Sequence, residues 1–207
     1  MSSPKIVIID YGVGNLNSIL NAFFRLNYFK ATVSRDFSVI ASADGVILPG
    51  VGAFGYCSNN LKSYGLIPVL NRFVLEKKKP VLGICVGMQL FATNSEENPE
   101  STGLGWIPGN VVKISSTKDL KIPHVGWNDI NINYDGGILK NSLTNDNFYF
   151  DHSYYLDCPE IYIQSSVLYG DKISASISFN NIFGVQFHPE KSQTNGLRIF
   201  NSFAKLL

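Results

Sequence analysis

The sequence predicts an α/β protein, an open and mainly parallel sheet that a β-rich second half continues as a mixed sheet. Three observations carry this. Short β-branched runs alternate with helix-period segments as far as residue 94. The connections between them are short, which forces parallel strands joined by right-handed crossovers. After about Gly103 the helical period disappears, and strand-like segments follow one another between Asp, Asn, Gly and Pro turns.

The elements follow in order. Lys5–Asp10 is a β-branched run bounded by the Gly-rich Tyr11–Asn15, as a fully buried strand requires. From Leu16 the apolar positions Leu16, Ile19, Leu20, Phe23 and Phe24 repeat with helical spacing, and Asn15 is placed to cap that helix. Ala31–Ser34 and Gly45–Leu48 read as strands, the second ended by Pro49 and Gly50. Leu66–Lys77 reads as a helix with Ile67, Leu70, Phe73 and Val74 on one face; Pro80–Ile84 is a strand and Val86–Asn94 a helix directly after it. In the second half Asn110–Ser115, Lys121–Ile132, Asn147–Tyr155, Ile161–Leu168, Lys172–Phe179 and Asn181–Phe187 read as strands. The last helix is Thr194–Leu207, striped by Leu197, Phe200, Phe203 and Ala204. No linker separates the two halves, so one domain spanning 1–207 is preferred over two.

Composition bounds the function. The 207 residues are 45% apolar and 16% charged, with 17 basic against 16 acidic side chains. The only basic cluster, Lys77–Lys79, reads as a solvated helix end, so a nucleic-acid partner is not expected. Cys57, Cys85 and Cys158 are odd in number and lack CxxC spacing, which argues against a disulfide framework or a structural metal and for a reducing compartment. The run Ile6–Ile9 is too short for a signal-peptide core, and Val81–Ala92 is broken by glycines and Gln89, so neither export nor a membrane span is expected. A cytoplasmic protein is the resulting expectation.

The chemistry concentrates in Gly83-Ile84-Cys85-Val86-Gly87-Met88-Gln89. A strand enters, a glycine-flanked cysteine follows and a helix begins, which is the thiol counterpart of a nucleophile elbow. At a helix N-terminus unpaired amides favour a thiolate. A buried structural cysteine in a βα turn has the same local pattern, so a base must decide. Of three histidines, His188 in His188-Pro189-Glu190 is the candidate: in an extended segment Glu190 lies on the side of His188 and orients its ring, although a surface turn fits those residues too. His152 reads as a hydrogen-bonded or pocket-lining strand residue, and His124 as a loop residue. The Pro49-Gly50-Val51-Gly52 segment ends a neighbouring strand, so the amides of Val51 or Gly52, with that of Val86, are candidate oxyanion donors; an ordinary Pro-Gly turn has the same composition. Gly12-Val13-Gly14 lacks the third glycine of a dinucleotide loop, Asn17 standing there.

Together, Pro49–Gly52, Gly83–Gln89 and His188-Pro189-Glu190 resemble the class I, or triad, glutamine amidotransferases. Asp10–Leu16, Ser95-Glu96-Glu97, Pro123–Asn128, His152-Ser153-Tyr154 and the run 188–193 make the chain most similar, within that class, to the glutaminase subunits of imidazole glycerol phosphate synthase. The resemblance implies an open three-layer, flavodoxin-like fold and glutamine as substrate. It implies Cys85, His188 and Glu190 as the triad, and Gly52 with Val51 and Val86 at the oxyanion. Gly50, Gln89, Glu97, Ser153 and Tyr154 would contact the substrate, and Asn15 and Trp127 would face a (βα)₈-barrel cyclase that receives ammonia. It implies no cofactor and no metal. Asp151 departs from the pattern by standing where an apolar residue is usual, and so does Ala92-Thr93-Asn94, where bulkier or acidic residues are common. Two rival readings share the chemistry: a glutaminase feeding a cyclase-like synthase in surface-sugar amidination, and a standalone γ-glutamyl hydrolase. A flavodoxin-like binding module with a structural cysteine is the rival that does not.

Overall fold

A computed structural model describes residues 4–27, 30–115, 120–140 and 142–207. Its first half is β1 (Lys5–Ile9), α1 (Leu16–Leu26), β2 (Lys30–Ser34), α2 (Phe37–Ser42), β3 (Gly45–Leu48), α3 (Phe54–Ser63), α4 (Leu66–Asn71), β4 (Val81–Ile84) and α5 (Val86–Gln89). The second half is β5 (Asn94–Ser95), β6 (Asn110–Lys113), β7 (His124–Asp129), β8 (Asn131–Ile132), β9 (Asn147–His152), β10 (Tyr154–Asp157), β11 (Ile163–Tyr169), β12 (Asp171–Phe179), β13 (Ile182–Val185) and α6 (Gln193–Ala204).

The main sheet has eight strands in the order β2-β1-β3-β4-β13-β12-β11-β8. Its first five strands are parallel, and β12, β11 and β8 extend it antiparallel. The chain moves one way from β1 to β2 and then reverses to β3 and β4. Right-handed crossovers in opposite directions put their helices on opposite faces, which makes three layers. Accordingly α1 packs with α6, while α2 and α3 pack with α4. β3, β4, β13 and most of β1 are buried along their whole length, as the continuous apolar runs require. Two small sheets, β10-β6-β5 and β7-β9, stand beside the main one.

Several elements differ from the sequence-based expectation. The helix expected over Val86–Asn94 stops at Gln89, because the carbonyls of Leu90, Phe91 and Ala92 accept instead from Leu104, Ile107 and Gly105; Asn94 and Ser95 then form β5. The helix expected over Leu66–Lys77 changes to a π-turn at Arg72–Glu76, with Lys77 N–H on the Arg72 carbonyl. The Asn147–Tyr155 strand divides at Ser153 into β9 and β10, and Lys121–Ile132 divides at Ile130 into β7 and β8. Asn15 holds the cap position of α1, but its side chain makes no cap bond. Lys79 does not stand free in solvent: its ammonium donates to the Ala43 carbonyl and lies over the Phe73 ring.

Two helices have no counterpart in the hydrophobic pattern of the sequence. α2 is a short helix of 6 residues held by Asp36, whose carboxylate accepts from Ser38 N–H (2.8 Å) and Val39 N–H (3.0 Å). α3 buries Phe54, Cys57, Ser58 and Leu61 at helical spacing, but the glycine, serine, asparagine and lysine residues among them leave the segment little net hydrophobic signal. Its N-terminus is capped from far along the chain: Glu97 Oε2 accepts Phe54 N–H (2.7 Å) and Asn98 Oδ1 accepts Gly55 N–H (3.1 Å).

Candidate active site

Three neighbouring parallel strands deliver the site. β3 leads into Pro49–Gly52, β4 into Cys85 and β13 into His188, and β3, β4 and β13 lie side by side. Loops at the carboxyl ends of adjacent parallel strands share one crevice, so residues over a hundred positions apart meet there.

Cys85 sits on the sharp turn from β4 to α5 with φ 54° and ψ −115°, a conformation that costs a non-glycine residue on the order of 1–3 kcal/mol. The turn persists because its surroundings over-determine it. Cys85 N–H donates to the Val185 carbonyl (2.8 Å), and the Cys85 carbonyl accepts from Met88 and Gln89. Glycine is required on both sides: a Cβ on Gly83 would lie 2.7 Å from the Met88 backbone, and one on Gly87 would lie 1.9 Å from the Leu48 carbonyl oxygen.

His188 and Glu190 are in contact, though not for the reason the sequence suggested. Pro189–Lys191 is a 3₁₀ turn rather than an extended segment, and the turn brings Glu190 Oε1 to 2.8 Å from His188 Nδ1. Both side chains are buried, 3% and 1% exposed. The backbone of His188 is pinned by its N–H on the Tyr149 carbonyl (2.8 Å) and by Ser192 Oγ on its own carbonyl (2.6 Å). Cys85 and His188 line the same cavity, close enough for the sulfur to act on the imidazole. Burial alone would lower the His188 pKa; the charge and hydrogen bond of Cys85, and then those of Glu190, overcome it and push it up to about 10. The set can take a proton from sulfur, hold it on an oriented ring and return it.

These groups open on a cavity of ≈ 280 Å³ lined by, among others, Val51, Gly52, Val86, Gln89 and Glu97. That is just under the ~300–1,000 Å³ of typical ligand sites, a size for an amino acid rather than a nucleotide. Ser153, Tyr154, His152, Pro123 and Asp151 complete the far wall. Of the residues expected at the oxyanion or the substrate, Gly50 is the one that does not line it; a Cβ there would stand 2.4 Å from Gly87 N, so Gly50 is the close-packing point between the Pro49–Gly52 loop and α5. That loop is held from behind, by the Tyr11 hydroxyl on the Pro49 carbonyl and by Cys57 Sγ, 3.4 Å from the Val51 carbonyl. In the sequence alone, Cys57 speaks only to redox compartment. Asp151 does reach the cavity, and its carboxylate faces Lys191 Nζ at 3.9 Å.

Gln89 is already committed. Its Nε2 donates to the Tyr154 carbonyl (2.8 Å) and to Gln186 Oε1 (3.0 Å), which leaves Oε1 as its remaining polar atom. Glu97 divides its carboxylate between the cap of α3 and the cavity. Among the described residues no group of three or more His, Cys, Asp or Glu side chains is arranged to hold a metal ion, and no helix is long and apolar enough to cross a membrane.

His124 is not in a loop but begins β7, buried between the rings of Phe150 and Tyr169. Its Nδ1 lies 3.0 Å from His152 Nε2, and His152 Nδ1 lies 2.9 Å from the Tyr154 carbonyl. A carbonyl only accepts, so His152 carries its proton on Nδ1, and His124 must then carry its own on Nδ1. Burial lowers the His124 pKa to about 4. It lowers that of His152 to about 3, where the positive forms of His124 and His188 add to the effect and the Tyr154 bond opposes it. Both rings are neutral in the folded chain while the unfolded chain titrates near 6.5. Their contribution to stability is therefore complete above pH 6.5 and is lost as the pH falls towards 4. His188 acts in the opposite sense, its contribution being complete below 6.5 and lost as the pH rises through 10. We expect urea-unfolding stability to fall between pH 6.5 and 4.5 by about 1.4 kcal/mol per pH unit for each of the two rings, and His124→Gln to halve that slope. An unchanged slope in His124→Gln would show that the pair is not responsible.

The family model for class-I glutamine amidotransferases matches residues 7–206. The chain belongs to that family. It is similar to "Imidazole glycerol phosphate synthase subunit HisH 2" of Vibrio vulnificus, at 46% identity over 96% of this chain and 93% of that one. The HisH subunit of Pelagibacter ubique is 41% identical over 98% of this chain and 100% of its own length. Among solved structures, a putative GMP synthase protein from Thermoplasma acidophilum superposes with a TM-score of 0.75, covering 100% of this chain and 94% of that one at 19% identity. PurLQS from Thermotoga maritima gives 0.73, covering 99% of each chain at 17% identity. Both share the fold of this amidotransferase.

Proposed function

We propose that residues 1–207 form one glutaminase domain, the ammonia-supplying subunit of an imidazole glycerol phosphate synthase of histidine biosynthesis, acting in the cytoplasm. The observation that carries it is the Cys85–His188–Glu190 line at the mouth of an amino-acid-sized polar cavity. The names borne by relatives similar along the whole chain support the assignment to that synthase.

In this reading Cys85 Sγ adds to the glutamine side-chain carbonyl while its proton passes to His188 Nε2, the ring nitrogen that Glu190 leaves free. The oxyanion is met by the amides of Gly52 or Val51 and of Val86. His188 returns the proton to the departing nitrogen as the C–N bond breaks, giving ammonia and a γ-glutamyl thioester. Water then attacks, its proton goes to His188, and the C–S bond breaks to release glutamate. Gln89 Oε1 and the Glu97 carboxylate are acceptors for the substrate's α-ammonium, and the Ser153–Tyr154 main chain closes the same corner.

The partner is a (βα)₈-barrel cyclase, which takes up the ammonia to make imidazole glycerol phosphate and aminoimidazole carboxamide ribonucleotide. β7 alternates, burying His124 and exposing Val125 and Trp127 beside the cavity wall at Pro123, and Asn15 follows β1 at the same carboxyl end of the sheet. An exposed tryptophan and valine on a strand next to the site suit a docking face. Glutaminase rates measured with and without a histidine-pathway cyclase and its ligand test the assignment. We expect stimulation of roughly tenfold or more, which corresponds to coupling of about 1.4 kcal/mol. No stimulation would favour the sugar-pathway partner or the standalone hydrolase.

A further inference from the structure

Gln186 is the last residue before the Phe187-His188 step out of β13, and its side chain is 0% exposed. A buried carboxamide has to place two donors and an acceptor, so the partners it keeps define its purpose. Its backbone N–H bonds to the Ala175 carbonyl (2.8 Å), which fixes the main chain. Its side-chain oxygen accepts from Gln89 Nε2 at 3.0 Å, and its Nε2 donates to Cys85 Sγ at 3.6 Å, within range for a bond to sulfur.

The direction of that donor is not arbitrary. Tyr154 offers Gln89 only a carbonyl, so Gln89 must present its amino group there. The same amino group faces Gln186, which must therefore answer with its oxygen. Turning the Gln186 amide over would set amino group against amino group and carbonyl oxygen against sulfur. A chain of directed bonds anchored on the main chain thus ends with an N–H aimed at the nucleophile.

We propose that Gln186 is a further catalytic residue, whose amide N–H donates to the Cys85 sulfur throughout the reaction. This rests on Cys85 being the nucleophile of the glutaminase. The donor holds Sγ on the side of the elbow from which it meets His188. A hydrogen bond to an anionic acceptor is about twice as strong as one to a neutral acceptor, so the contact is worth more to the thiolate than to the thioester. It therefore favours C–S cleavage in the second half-reaction, when sulfur must leave as an anion. Around Sγ the other groups that titrate are His188, with Tyr11 and Cys57 at longer range, while Asp151 presents its main-chain carbonyl at 3.9 Å. Gln186 is the neutral donor among them.

The test compares Gln186→Met, which keeps the length and loses the donor, with Gln186→Glu, which keeps the shape and the acceptor for Gln89 but turns a carboxylate oxygen towards sulfur. Each full-length chain is alkylated with iodoacetamide across pH and assayed for glutamine hydrolysis. For Gln186→Met we expect alkylation of Cys85 about tenfold slower at pH 6 and converging on wild type at high pH, with kcat down about tenfold and KM changed less than about threefold. For Gln186→Glu the loss in kcat should reach about a hundredfold. If Gln186→Met does not fold, as a thermal melt would show, Gln186→Glu carries the same comparison. An alkylation profile and kcat like wild type would overturn the proposal, and so would an alkylation rate reduced equally at every pH, the mark of a displaced elbow. If alkylation of the wild-type cysteine left glutamine hydrolysis intact, the nucleophile assignment itself would fail, independently of Gln186.

Discussion

Cys85→Ala is expected to lose glutamine hydrolysis by roughly a thousandfold or more, because removing the nucleophile of a cooperating set costs nearly as much as removing the whole set. The same variant should keep its fold. Cys85 is buried to all but 3%, and truncation to alanine removes one sulfur from a turn held by main-chain bonds on both sides. The proposed synthase separates ammonia production from ammonia use. The Cys85→Ala complex should therefore make product at close to the wild-type rate when ammonium chloride replaces glutamine. Glutamate release and ammonium-dependent turnover are measured on one preparation. Hydrolysis within tenfold of wild type would remove Cys85 from the chemistry, and loss of the ammonium-dependent reaction would remove the separation of sites.

Gly87→Ala is the second large effect, and it acts on the architecture of the site. The added methyl would stand 1.9 Å from the Leu48 carbonyl oxygen, 2.8 Å from the Leu48 carbonyl carbon and 3.0 Å from that of Pro49. All three are main-chain atoms, so no side-chain rotation relieves the overlap. Either α5 or the segment after β3 must move, and Gly50 meets the first turn of α5 at the same point. We expect a loss of about 3 kcal/mol in stability, the upper part of the range for overpacking a core, together with loss of glutaminase activity as the Cys85 turn and the Pro49–Gly52 amides separate. Urea unfolding gives the first quantity and a glutamate assay the second. A variant within about 0.5 kcal/mol of wild type would mean that this contact has slack that the backbone distances do not suggest.

The legibility of the site followed the kind of constraint at each residue. Cys85 and His188 stood out because cysteine and histidine are rare in this chain, Glu190 because it stands two residues from His188, and all three because their neighbours are glycine and proline, whose backbone effects are read directly. Even there the expected route to the His188–Glu190 contact was wrong, since a 3₁₀ turn and not an extended segment makes it. Gln186 does not stand out because nothing local distinguishes a catalytic glutamine from a strand residue; only its partners do. His124 escaped for a related reason. Its ring pairs with His152 across two antiparallel strands, and β7–β9 register is a long-range property.

Composition, hydrophobic period and turn chemistry were enough by themselves to determine an α/β fold with a mainly parallel sheet, the strands that end at the site and the candidate side chains that those strands deliver. Those are short-range signals, written within a few residues by backbone sterics and by the burial of apolar runs. What only the tertiary structure decided is where neighbours come from. α3 forms because Glu97 and Asn98 supply its caps, α5 stops because residues 104–107 take the carbonyls of Leu90, Phe91 and Ala92 that would have continued it, and Cys85 receives an amide donor 101 positions further along the chain. A buried polar group must find its partner somewhere, and in this fold it finds that partner on another strand or loop, beyond the reach of any local pattern.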